Sequence, residues 1–147
     1  MISRALEELN QRFGVEPDYF GSYHLFTRKN DVWCSTPEAG ELKLAGIVRR
    51  GLRIARVFDF SVRPTTNAVQ LLADSIKRNK VDLNELEAKL FLAGRTQEIE
   101  VPKGEESEEG VTDGFVVAFH KGFALGIGLL TGTKLKSQVP RSRRVLG

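Results

Sequence analysis

The sequence predicts an α+β fold, with a small mixed α/β unit leading into a β-rich half that curls into a small barrel. Three observations carry this. Helical periodicity is confined to residues before Gly94. Beyond Gln97, strand-like runs recur at short intervals, punctuated by Gly122, Gly126, Gly128 and Gly132, as in small barrels built of bent strands. The chain's 147 residues, 41% of them apolar, can fill one ordinary core or two small ones.

Ser3 is placed to cap a helix over residues 4–12, in which Leu6, Leu9 and Phe13 recur at helical spacing and Gly14 supplies the stop. Residues 23–27 and 32–34 flank the turn candidates Lys29, Asn30 and Asp31 and form a hairpin. A second hairpin pairs residues 46–49 with 54–60 and reverses at Gly51, leaving Arg50 and Arg53 near its tip. After Pro64, Ala68, Leu71, Leu72 and Ile76 mark a helical stripe over residues 65–79, capped by Thr65 or Thr66. Residues 80–84 break the pattern, a linker falls near 78–82, and residues 83–94 form a short helix ended by Gly94. Strands over 97–101, 115–120, 123–130 and 134–139 complete the chain. The division that follows is an N-terminal α+β domain over residues 1–78 and a barrel domain over 79–147.

The net charge of +3 is small, but it is unevenly spread. Arg49, Arg50, Arg53, Arg56 and Arg63 form one basic block against a single acid, Asp59. Lys134, Lys136, Arg141, Arg143 and Arg144 form a second, in a tail that holds no acid. Between them lies an acidic loop carrying Glu105, Glu106, Glu108, Glu109 and Asp113. Such segregation fits one face for polyanions and another turned away from them, the alternative being ordinary solvated charge. No stretch approaches the roughly 18 apolar residues of a membrane span. The chain starts as a mixed-charge amphipathic helix rather than a signal peptide, which predicts a cytoplasmic protein with no membrane partner.

Few residues invite catalysis. A single cysteine, Cys34, excludes an internal disulfide and a thiolate cage, and its strand context fits a packed side chain. His24 and His120 are far apart in sequence, and Ser35 and Ser61 lack a recognisable base, so neither a metal site nor a nucleophile is predicted. The GIGLLTG stretch from Gly126 to Gly132 is one residue too long for a dinucleotide fingerprint, and no helix follows it to face a pyrophosphate. No cofactor is predicted.

Residues 114–144 (GFVVAFHKGFALGIGLLTGTKLKSQVPRSRR) resemble the C-terminal PUA-like RNA-binding region of RsmF-type RNA cytosine-5 methyltransferases. The resemblance rests on Lys121, Gly122, Leu125, Gly126 and Gly128 in a K-G-x-x-L-G-x-G stretch, and on Leu135, Lys136, Ser137, Pro140, Arg141 and Arg144 in the ending. Residues 42–73 resemble the segment before that domain, with Gly51, Arg63 and Pro64 at matching positions. The resemblance implies a PUA-like pseudo-barrel that binds structured RNA, rRNA or tRNA, in ribosome biogenesis or RNA modification. No room remains for a cofactor-binding methyl-transfer domain, so the expectation is a standalone, non-enzymatic protein. The candidate RNA-binding residues are Arg50, Arg53, Lys121, Gly122, Phe123, Gly126, Lys134, Lys136, Arg141, Arg143 and Arg144. Gly122 and Gly126 are expected to let RNA backbone approach, and Phe123 to stack a base, with a core aromatic as its competing role. The rival function is an interaction subunit docking onto an RNA methyltransferase, a ribosomal protein or a ribosome-assembly factor.

Overall fold

The computed structural model describes residues 1–35, 51–101 and 110–141. Arg50, Arg143, Arg144, residues 46–49 and the glutamates of the acidic loop therefore lie outside the described residues. Helix α1 (Ile2–Phe13) buries Ala5, Leu9 and Phe13 and ends at Gly14, whose left-handed φ of 74° turns the chain so that the Val15 N–H reaches the Leu9 carbonyl at 3.3 Å. Ser3 does not cap it. The helix begins at Ile2, which packs on the core, and Ser3 lies inside the first turn.

The first sheet is antiparallel in the order β1 (His24–Arg28), β2 (Asp31–Ser35), β3 (Leu52–Val57), β4 (Val62–Pro64). The β1–β2 hairpin forms as the sequence predicts, turning at Lys29 with φ 56°. Strand β3 has β2 on one side and β4 on the other; the expected hairpin strand over 46–49 lies outside the described residues. Helix α2 (Thr66–Leu71) is capped by Thr65, whose hydroxyl oxygen accepts from the Ala68 N–H at 3.1 Å.

That helix, at 6 residues, is well under half the length the apolar stripe predicts. A 3-10 turn over Ala73–Ser75 follows, and Ile76 is extended and buried. The cause is the C-terminus of α1, whose last carbonyls accept from donors outside the helix. Lys77 N–H donates to the Phe13 carbonyl at 2.8 Å, and the Arg78 guanidinium donates to the Asn10 and Gln11 carbonyls at 2.7 and 2.9 Å. Those bonds compete with continued helix. The expected linker is likewise structured: Lys80–Asp82 is strand β5, with Val81 buried and paired in parallel with Ala118.

The second sheet runs β5, β7 (Gly114–His120), β8 (Phe123–Thr131), β9 (Lys134–Ser137), β6 (Thr96–Glu98). Strands β5 and β6 sit at opposite edges, and among the described residues nothing pairs them, so this sheet is open and not a closed barrel. Helix α3 (Glu85–Leu92), started by a reciprocal Asn84–Glu87 capping box, lays Phe91 across it.

Strand alternation makes β7 a wall between two cores. Val117 and Phe119 join the first, with α1, α2 and the β1–β4 sheet, while Val116 and Ala118 join the second, with α3. Buried Asn79 stitches the two together at a left-handed φ of 53°. Its amide donates to the Arg12 carbonyl at 2.6 Å and accepts from the Thr112 N–H at 2.9 Å. Asn79→Ala is expected to lower the unfolding free energy by about 2–3 kcal/mol, combining left-handed strain with orphaned buried groups. Urea unfolding reads this directly. Asn79→Gly, which relieves the strain alone, should recover about 1 kcal/mol of it, and equal losses in the two variants would refute the strain component.

Candidate nucleic-acid interface

The two basic blocks meet in space. A groove of about 380 Å³ is lined by Arg53, Arg56 and Arg63 on one wall and by Lys136 and Arg141 on the other, with Thr65, Thr66 and Ile127 among the residues between. Among its described lining residues there are five cations and no carboxylate.

Pairing across three strands builds the first wall, since Asp31, Arg56 and Arg63 are successive cross-strand partners on β2, β3 and β4. Arg53 is three residues from Arg56, a spacing that places two strand residues on opposite faces. A bulge where Val32 pairs with Ala55 and Trp33 with Arg53 adds one residue and corrects this. Both guanidiniums consequently reach Asp31: Arg56 donates to its two oxygens at 2.9 and 3.3 Å, and Arg53 lies 3.6 Å away.

Arg63 has no such carboxylate among the described residues, its partner being the Phe58 ring, whose centroid is 5.6 Å from the guanidinium carbon. Burial, then the charges of Arg56 and Arg53, push the Arg63 guanidinium below its ordinary pKa. It remains protonated, and the cost of holding it charged is relieved by an arriving anion.

Asp31 is shifted in the same direction with the opposite consequence, since for a carboxyl a lowered pKa favours the charged form. Hydrogen bonds from Arg56 hold its carboxyl below the usual range, outweighing burial. Its stabilising effect is therefore complete above about pH 4 and is lost as pH falls through the lowered folded-state value. Asp31→Asn should be less stable than the parent protein near neutral pH and should converge with it in acid. A stability gap that stayed constant through an acid urea-unfolding series would show that the charge of Asp31 is not what stabilises.

The second wall is set by alternation in β9, where Leu135 and Ser137 are buried and Lys134 and Lys136 are exposed. The Ser137 hydroxyl donates to the Phe91 carbonyl at 2.7 Å, and Gln138 N–H donates to the Ile127 carbonyl at 2.9 Å. Buried Val139 completes the anchor that aims exposed Arg141 at the groove.

The other candidates fall elsewhere. Lys121 and Gly122 form the two-residue β7–β8 turn, both left-handed at φ 49° and 82°. A Cβ on Gly122 would meet nothing within 4 Å, so the turn conformation is what favours glycine there. Phe123 follows, 74% exposed, and is not a core aromatic. Gly126 is buried beside a bulge between Ala118 and Phe119, and a Cβ there would meet Thr66, Phe91 and Val139 at 3.4 to 3.5 Å. It faces protein, not an approaching RNA backbone. Lys134 is the cross-strand partner of Glu98, and neither it nor the turn residues 121–123 line the groove.

Sequence reasoning missed Arg56 and Arg63 as site residues. Both belong to the basic block, but only the β3–β4 pairing reveals their common face. On another part of the surface, Asp82, Glu87, Glu98 and Glu100 line a second cavity of about 720 Å³ with no cation among its described lining residues. Cys34 is buried, and desolvation raises its thiol pKa, away from a reactive thiolate. Among the described residues no cluster of three or more His, Cys, Asp or Glu could hold a metal ion, and no helix is long and apolar enough to cross a membrane.

Residues 78–145 match the family described as the methyltransferase RsmF PUA domain. The chain is 27% identical over 140 residues to a ribosomal RNA small subunit methyltransferase F of Aeromonas hydrophila and 26% identical over 137 residues to that of Aeromonas salmonicida. Each match covers 92% of this chain but 26% of the relative, so the chain spans about a quarter of the length of these proteins. The matched residues 78–145 supply β5 through β9, helix α3 and the Lys136–Arg141 wall of the groove, so this part of the chain is similar to the RsmF PUA domain.

Proposed function

We propose that this chain is a non-catalytic RNA-binding protein that holds structured RNA, rRNA or tRNA, by its phosphates. Its division into an N-terminal α+β unit over residues 1–78 and a PUA-like RNA-binding domain over 79–147 is part of the same reading. The observation that carries it is the groove: five cations drawn from both units, with no carboxylate in the described lining. Cations on two facing walls suit a phosphate backbone lying between them, and affinity of this kind falls steeply with salt. The printed function of the relatives, methylation of small-subunit ribosomal RNA, supports a role in rRNA modification or ribosome biogenesis in the cytoplasm. The matched family is the PUA domain of a methyltransferase, which supports binding without methyl transfer. Titrating the protein into rRNA and tRNA transcripts over a range of salt tests this. A slope of log K against log salt of roughly −3 or steeper is expected, and binding indifferent to salt would sink the reading. Incubation with S-adenosylmethionine and RNA should transfer no methyl group. A second reading, docking of a basic ribosomal protein or assembly factor, rests on the acidic cavity lined by Asp82, Glu87, Glu98 and Glu100.

A further inference from the structure

The β3–β4 turn carries two phenylalanines that the folded core does not use. Phe60 is 98% exposed and Phe58 is 41% exposed, although a small domain gains by burying such rings. The turn that presents them is held in place. Phe58 N–H donates to the Ser61 carbonyl at 2.7 Å, closing it, and the Arg4 guanidinium donates to the Asp59 carbonyl at 3.0 Å, tying it to helix α1.

Its position relative to the groove matters most. Arg63 lines the groove and also lies over the Phe58 ring, so the aromatic turn continues directly from the cationic wall. A face of exposed aromatic carbon beside a row of guanidiniums is the chemistry that binds an unpaired nucleotide: the cations take the phosphates and the ring takes the base. A duplex offers no free base face to such a ring.

We propose that Phe60, with Phe58 and Arg63, forms a stacking platform for an unpaired base, so that the protein selects RNA in which a loop or bulge adjoins the phosphates held in the groove. The proposal rests on the RNA-binding reading above and adds to it a preference for unpaired nucleotides. Arg63 has a double task here, since one face of its guanidinium packs on Phe58 while its charge serves the groove.

The test compares two RNA probes of equal phosphate number, a hairpin with a loop containing 2-aminopurine and a fully paired duplex. The full chain is expected to prefer the hairpin and to quench its 2-aminopurine fluorescence. Phe60→Ala should weaken hairpin binding by roughly 5- to 100-fold, the range for loss of one base–aromatic stack, leave duplex binding unchanged and keep the parent salt slope. Phe60→Trp should retain the hairpin preference, a rescue that a merely structural role would not give. Phe60→Ala binding both probes like the parent would overturn the platform while leaving the phosphate groove standing, and would mark the turn as a contact for protein. If neither probe bound in a salt-dependent way, both readings would fall together.

Discussion

Replacing Arg63, Lys136 and Arg141 together with alanine is expected to weaken binding to structured RNA by about 10²- to 10³-fold near 0.1 M salt. The slope of log K against log salt should become shallower by about two to three. The magnitude comes from counterion release: each phosphate contact contributes close to 0.9 to the slope, or about eight-fold in affinity at that salt. These three cations, rather than Arg53 and Arg56, are the ones to remove. Arg53 and Arg56 share Asp31, which offsets part of their charge, whereas no carboxylate lies within ion-pair distance of Arg63, Lys136 or Arg141 among the described residues. Lys89, paired with Glu85 on α3, and Lys77, paired with Glu16, provide controls outside the groove lining. Their alanine variants should bind RNA within about two-fold of the parent, because exposed ion pairs contribute little. Filter binding or fluorescence anisotropy reads all three variants. A triple variant that bound like the controls would remove the groove from RNA recognition and favour the docking role.

The same residues mark how far the sequence could be read. The tail's cations and the β7–β9 strands were legible because alternation and glycine spacing are local signals, and Lys136 and Arg141 take the groove-facing positions that such spacing allows. Arg56 and Arg63 were not, since their meeting depends on the register of β3 against a three-residue strand, and Arg53 joins them only through a bulge between β2 and β3. Neither leaves a periodic trace. The overlong helix after Pro64 failed for a related reason: Ala68, Leu72 and Ile76 do share a buried stripe, but carbonyls at the end of α1 capture Lys77 and Arg78 before the helix can continue. Gly126 was misread because glycine looks the same in sequence whether it admits a ligand or a neighbouring ring. A small residue records only that something comes close.

The largest stability effect is expected where that something is Phe91. Its ring is fully buried and spans Gly126 and Gly128, lying 3.5 and 3.1 Å from where Cβ atoms on those glycines would stand. Phe91→Ala should cost about 3–5 kcal/mol, because the fully buried ring lies against the paired backbone of two glycines that offers no side chain of its own to fill the void. Against a total near 5–15 kcal/mol for a domain, that removes much of the margin. Gly128→Ala attacks the same contact from the other side, placing a methyl 2.6 Å from Leu135 Cδ1, closer than any real Cβ contact. Leu135 is itself fully buried and cannot swing to solvent, so an overpacking cost of about 1–3 kcal/mol follows. The double variant Gly128→Ala/Phe91→Leu separates crowding from a simple loss of glycine flexibility. A smaller side chain at 91 opens space for the methyl and for a shifted Leu135, so the double should be less destabilised than the sum of its singles by at least about 0.5 kcal/mol. Strict additivity in urea unfolding would mean that Gly128 is needed for its backbone alone. The β7–β9 sheet would then be shaped independently of the helix laid across it, and the Ser137–Phe91 bond that anchors the second wall of the groove would be a consequence of that shape and not a cause.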